Sequence, residues 1–185
     1  PNQKQGATPS PTASSAPAQS SNPAQPIAQP TQATVASVST APQRTIRIQT
    51  PLYDVRFDTL GAEPVSWIIK KNKITERDIY SVGGRRADKV PLELISAEGL
   101  KRQPRMVPLQ LQTGDETLDT ALRSSTYKVE GVDQASGDVE INLGEKEKKE
   151  LTFVFEDGNG TQVRKKLVFD SERYETDLSL LVKRG

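Results

Sequence analysis

The chain has 185 residues, with no cysteine, no histidine, 25 basic and 24 acidic side chains, and a formal net charge of +1. Without cysteine there is neither a disulfide framework nor a thiolate metal site, and without histidine the commonest general base and transition-metal ligand are missing. The balanced charge lacks the basic excess of a nucleic-acid binder, and no run of about 18 apolar residues is present to span a bilayer.

Residues 1–43 hold eight of the thirteen prolines and a single ionised side chain, Lys4. Large apolar residues are nearly absent there, so burial cannot offset the entropy of ordering the segment. We read it as a disordered Pro/Ala/Ser/Gln-rich linker, extended where prolines cluster. Residues 44–185 form a stretch of the commonest domain size, rich in Val, Ile, Leu and Thr. The chain begins at Pro1 rather than methionine and carries no signal peptide, so a fragment or a processed product is expected.

Strand patterns dominate from Arg44 onward. Ile46 and Ile48, then Tyr53, Val55 and Phe57, alternate with polar residues, the period of strands with one buried and one wet face. Pro51 predicts a bend between the two segments or a sheet edge. A turn at Leu60-Gly61-Ala62 leads into a strand over Val65–Ile69, ended in solvent by Lys70, Lys71 and Lys73. A polar loop through Val82-Gly83-Gly84-Arg85-Arg86 follows, with further strands expected over Val90–Ile95 and Val107–Gln112.

Tyr127–Val129 and Val139–Leu143 read as short strands around a turn at Ser136-Gly137. The clearest hairpin joins Leu151–Phe155 to Thr161–Phe169 through Asp157-Gly158-Asn159-Gly160, whose glycines supply the positive φ that tight turns require. Tyr174–Val182 is the last predicted strand. Close-spaced strands without an evident amphipathic helix predict an all-β, antiparallel β-sandwich. The last strand stops at Lys183-Arg184-Gly185, and a strand of that length normally pairs on both sides, so the domain is expected to continue.

Few residues stand out chemically. Asp157-Gly158-Asn159-Gly160 resembles part of a calcium loop, yet the expected bidentate Glu is missing and Arg164 is the next charge, so a hairpin turn is the reading. Lys70, Lys71, Lys73, Arg85, Arg86, Lys89, Lys101, Arg102 and Arg105 make the middle of the domain locally basic, which would suit acidic lipid headgroups or an acidic partner. Interspersed Glu76, Asp78, Asp88, Glu93 and Glu98 favour solvated loops instead.

The Glu145–Glu150 charge alternation reads as a solvated connection. Trp67, between Val65 and Ile68-Ile69, reads as a core residue rather than a stacking platform. A Ser-His-Asp or Cys-His arrangement cannot be built, and no carboxylate sits in a distinctive apolar setting, so no catalytic, cofactor-binding or metal residue is assigned. The chain is expected not to be an enzyme.

The stretch Ile48–Ala62 resembles the start of the large periplasmic domain of YidC-type membrane protein insertases. In that family a strand ending in Thr-x-Leu leads to a Phe-Ser-Thr-x-Gly-Gly turn and a strand ending in Leu-Lys-x-Tyr. Phe57-Asp58-Thr59-Leu60-Gly61-Ala62 and Trp67–Asn72 follow this pattern, with Ala62 in place of the second glycine and Asn72 in place of the tyrosine. The late segment is similar too: Leu151–Gly158, then Val163–Phe169 and Tyr174–Leu178, where a basic-flanked strand ends in Phe and a Tyr soon follows.

The resemblance implies a β-supersandwich akin to the sugar-mutarotase superfold, on the periplasmic side of a bacterial inner membrane. It implies an anchor helix before the linker, a five-helix insertase core after the domain, and a domain longer than residues 44–185. The partners it implies are the Sec translocon with its accessory subunits and nascent membrane proteins, for which the domain would be a scaffold or docking module. No residue of the family's membrane groove falls within this sequence. The alternative reading is a secreted carbohydrate-binding β-sandwich on a flexible stalk, with Trp67, Tyr53 and Tyr80 as its possible aromatic platform. A sugar epimerase is a weaker third, since mutarotase-like enzymes use His and Glu and no histidine is present.

Overall fold

The alternation of Ile46, Ile48, Tyr53, Val55 and Phe57 becomes two antiparallel strands in the computed structural model, β1 (Thr45–Gln49) and β2 (Tyr53–Asp58), with all five side chains fully buried. The structure describes residues 41–82, 88–133 and 137–185. The expected linker up to residue 40, the loop residues Gly83 to Arg86 and the turn residue Ser136 lie outside the described residues. Pro51 sits in the bend between β1 and β2, where the Thr50 hydroxyl accepts the backbone N–H groups of Leu52 and Tyr53.

Gly61 and Ala62, both at positive φ, turn the chain into β3 (Glu63–Ile69). Pro64 lies opposite Phe57, where the register shifts between Arg56 and Phe57. A proline inside a strand is tolerated at such an irregularity because no ladder donor is needed there.

Next come β4 (Leu92–Glu93), α1 (Ala97–Lys101), α2 (Glu116–Ser124), β5 (Lys128–Glu130) and β6 (Val139–Asn142). The chain ends with β7 (Lys148–Glu156), β8 (Gln162–Asp170) and β9 (Asp177–Lys183). One sheet has the order β4-β3-β2-β1-β6 and the other β5-β7-β8-β9. Every pairing is antiparallel except β1 with β6. This is the expected all-β sandwich: the inner faces of both sheets contribute to one core, with Phe57 of β2 5.4 Å from Phe153 of β7 and 6.0 Å from Phe169 of β8.

Four expectations need correction. The strand over Val90–Ile95 shrinks to Leu92–Glu93, because the Glu93 carboxylate itself accepts the backbone N–H groups of Trp67 and Ile95 and the Ser66 hydroxyl. No strand forms over Val107–Gln112: Leu109 takes a φ of 64°, which breaks an extended run.

The two short strands either side of residues 131–138 do not pair with each other. β5 joins β7 in one sheet, while β6 crosses to the other and lies parallel to β1, Ile46 opposite Val139. Arg47 holds that register on the outer face, bonded to Asp54 of β2 and to Glu140 of β6.

Two helices also appear where none was expected. Asp115 caps α2 by accepting the Leu118 N–H, acidic residues fill its first turn, and Leu122 plugs the core.

Candidate functional site

At one end of the sandwich a groove of about 450 Å³ opens between the β2–β3 turn, the loop before α2 and the C-terminal half of α2. Gln103, Gln110, Thr120, Arg123 and Ser124 give its walls polar character, and Leu60 and Pro104 give it apolar surface. The loop on one side is fastened at several points. The Arg105 guanidinium pairs with Asp58 at 3.1 Å, and the Gln110 amide donates to both the Glu63 carboxylate and the Arg105 carbonyl.

Beneath this loop lies Lys165 of β8, whose side chain is wholly inside the protein. Its ammonium donates to the carbonyl oxygens of Ala62 and Leu109, both at 2.8 Å. Burial pushes its pKa down to about 8, and nearby Glu63, itself buried, works in the opposite direction. Burial likewise raises the pKa of Tyr127, with Glu63 adding to the effect. The positive φ of Leu109 and the turn at Gly61-Ala62 place the two carbonyls that this buried cation needs.

Sequence reasoning missed Lys165. The signal was present: Val163, Lys165, Leu167 and Phe169 occupy one face of a predicted strand, so the lysine had to point inward with the three apolar residues. The groove's polar walls can hydrogen-bond a polar chain, but its carboxylate, Glu63, is engaged by Gln110. Among the described residues no group of three or more carboxylates is gathered to hold a metal ion.

The residues singled out from sequence fall elsewhere. Asp157 accepts the N–H groups of Asn159 and Thr161 and closes the β7–β8 hairpin, with Gly158 and Gly160 at positive φ. The Thr161 side chain, foremost, and these amides lower the pKa of its carboxyl. Trp67 packs half-buried against Tyr53 and Phe57, at ring separations of 6.2 and 6.4 Å. Tyr53 is fully buried, its hydroxyl donating to the Asp170 carbonyl, and its pKa is pushed up to about 12 by burial. Of the three aromatics considered as a platform, Tyr80 is the exposed one, so they do not form a shared stacking surface.

The basic middle of the domain is dispersed as well. Lys70 donates to the Thr50 carbonyl, Lys101 pairs with Glu98, Arg102 contacts the Met106 sulfur and Arg105 pairs with Asp58. Lys71 and Lys73 flank a built turn. Asn72 there accepts the N–H groups of Ile74 and Thr75, and the Tyr174 hydroxyl joins the Lys71 carbonyl to the Lys73 N–H. Ile74 protrudes from this turn, 91% exposed. Arg85 and Arg86 lie outside the described residues.

The sheet edges differ in length. Those formed by β4, β5 and β6 are two, three and four residues long, whereas β9 runs for seven. Short edges are a common protection against unwanted pairing. No helix among the described residues is long and apolar enough to cross a membrane. Compared with known families, curated proteins and solved structures, the chain matches none.

Proposed function

We propose that residues 44–185 are a scaffold or docking module of a YidC-type membrane protein insertase, placed on the periplasmic side of a bacterial inner membrane. The observation that carries this reading is the position of the two segments that resemble the family. The first, Ile48–Ala62 with Trp67–Asn72, covers β2 and the end of β3 in one sheet, and the second, Leu151–Gly158 with Val163–Phe169 and Tyr174–Leu178, covers most of β7 and β8 in the other. They meet face to face through Phe57, Phe153 and Phe169. Both thus belong to the framework of a sandwich, which agrees with the fold the resemblance implies.

In this reading the module performs no covalent chemistry. The Sec translocon, its accessory subunits and nascent membrane proteins are the partners, met through sheet edges and the loops between β3 and α2. Two-sheet sandwiches host many unrelated functions, so the fold is support of the weaker kind, and the order of the motifs is the stronger.

Reading the encoding gene on both sides of this segment tests the proposal. An upstream apolar anchor and about five downstream apolar spans are the expected result. A cleavable signal peptide upstream with a stop codon directly after Gly185 would overturn it and leave the secreted binding module as the better account.

A further inference from the structure

Three carboxylates stand in or beside the groove between the β2–β3 turn and α2, and each is already engaged. Asp58 takes the Arg105 guanidinium, the Leu60 N–H and the Gln43 amide. Glu63, 4% exposed, takes the Gln110 amide at 2.8 Å. Asp119, buried on α2, takes both the N–H and the hydroxyl of Thr113 at 2.7 Å. Carboxylates satisfied in this way hold the walls together and offer little to an incoming group.

The donors are in the opposite state. Arg123, in the last turn of α2, is partly buried in the groove wall, yet among the described residues its guanidinium makes no hydrogen bond or ion pair. Asp119, one turn earlier, acts on it only through space. The Gln103 amide and the Thr120 hydroxyl line the same groove, both exposed and likewise unpartnered among the described residues. The Arg105 side chain keeps 35% of its surface exposed beside them.

Whatever enters the groove therefore meets cations and donors, next to the apolar surfaces of Leu60 and Pro104. A partly desolvated guanidinium without a partner gains most from a carboxylate, which can accept two of its N–H groups at once. At about 450 Å³ the groove exceeds what one carboxylate fills and suits a short run of extended chain. Peptide carbonyls of such a chain match the Gln103 amide and the Thr120 hydroxyl as acceptors. α2 leads directly into β5, and β7 and β8 separate β5 from β9. The Arg123 wall is thus built at the flank of its sheet away from the last strand.

We propose that this groove is a docking site for an acidic peptide segment of a partner protein, with one Asp or Glu carboxylate of that segment held by Arg123. The inference rests on the groove's own donors and is independent of the insertase reading.

Selection of random heptapeptides displayed against the 185-residue chain tests this. The recovered peptides should share an Asp or Glu at one position. Replacing that residue by Asn or Gln in the synthetic peptide should weaken binding at least about tenfold in calorimetry, because a charge-assisted bidentate bond is lost. Arg123→Gln should lose the same factor and should bind the acidic peptide and its neutral counterpart alike.

Thr120→Glu sets a carboxylate three positions from Arg123 on the same helix and should block binding as an internal competitor. Arg77→Gln, at an exposed arginine beyond the opposite end of β3, should change nothing. Unchanged cooperative unfolding of each variant, followed by Trp67 emission, shows that the fold is kept. Recovery of no peptide, or of peptides without a common acidic residue, overturns the proposal. Acidic peptides that bind Arg123→Gln as tightly as Arg77→Gln overturn it too. So does displacement of the peptide by acetate at comparable concentration, which would make the groove a site for small carboxylates instead.

Discussion

The ammonium of Lys165 donates to the carbonyl oxygen of Ala62, a residue 103 positions earlier in the chain. With its second bond to the Leu109 carbonyl, this contact ties the centre of β8 to the β2–β3 turn and to the loop before α2. A buried cation held by two neutral carbonyls is hydrogen-bonded but only partly compensated for lost hydration.

Stability should therefore rise in mild alkali. Lys165 titrates near pH 8 when folded against about 10.5 when exposed, so between those values the unfolded chain binds the extra proton. Unfolding free energy then increases with pH, by about 2–3 kcal/mol as pH approaches 10. Tyr53 and Tyr127 act in the opposite sense: their folded pKa values are raised, so stability falls once unfolded tyrosine ionises above about pH 10. Urea titrations across pH 7–11 should show a maximum near pH 10. In Lys165→Met the rise should vanish and the fall remain; a flat profile in the unmodified chain would refute the buried charge.

Phe57 should be the costliest single truncation of the core. It is fully buried and touches Phe153, Phe169 and Trp67, joining both sheets. Phe57→Ala should lower unfolding free energy by about 3–5 kcal/mol, and Phe57→Leu by clearly less. Chemical denaturation with an unchanged m-value checks this.

Two glycines at similar positive φ should respond differently to alanine. At Gly131, φ 91°, a Cβ would lie 2.5 Å from the Glu150 carbonyl oxygen of β7, whereas at Gly114, φ 85°, it meets nothing within 4 Å. Gly114→Ala should cost about 1 kcal/mol from backbone strain alone. Gly131→Ala adds a clash with a strand that cannot yield, and should cost more than about 2 kcal/mol. Equal thermal midpoints for the two variants would contradict the close approach at Gly131.

Trp67 is the sole tryptophan, half-buried against Tyr53 and Phe57. Its emission should be blue of free tryptophan, shift red in one cooperative step on unfolding, and stay unchanged when mono- or oligosaccharides are added. A saccharide-dependent shift would revive the carbohydrate-binding reading.

Much of the framework was legible without coordinates. The inward residues of β1, β2, β7 and β8 are those the period of two selects, and the Asp157–Gly160 turn closes the hairpin it was expected to close. The helix α2 was missed although Asp115, the acidic first turn, and Leu118 with Leu122 were a readable start signal. Its nine residues among strand patterns were too short to dominate the reading. The Val107–Gln112 stretch looked like a strand by composition, but Pro108 offers no ladder donor and Leu109 turns the backbone toward Lys165.

By itself the sequence determined that this is a β protein and which side of most strands faces inward, because that information is carried by neighbours two positions apart. Only the tertiary structure decided which strands meet. β6 lies parallel to β1 although Ile46 and its partner Val139 are separated by most of the domain, and β5 turns to the other sheet. The same holds for the buried Lys165 with its two carbonyls. Such pairings depend on closing long loops against a shared core, and that free energy belongs to the folded whole rather than to any local run of residues.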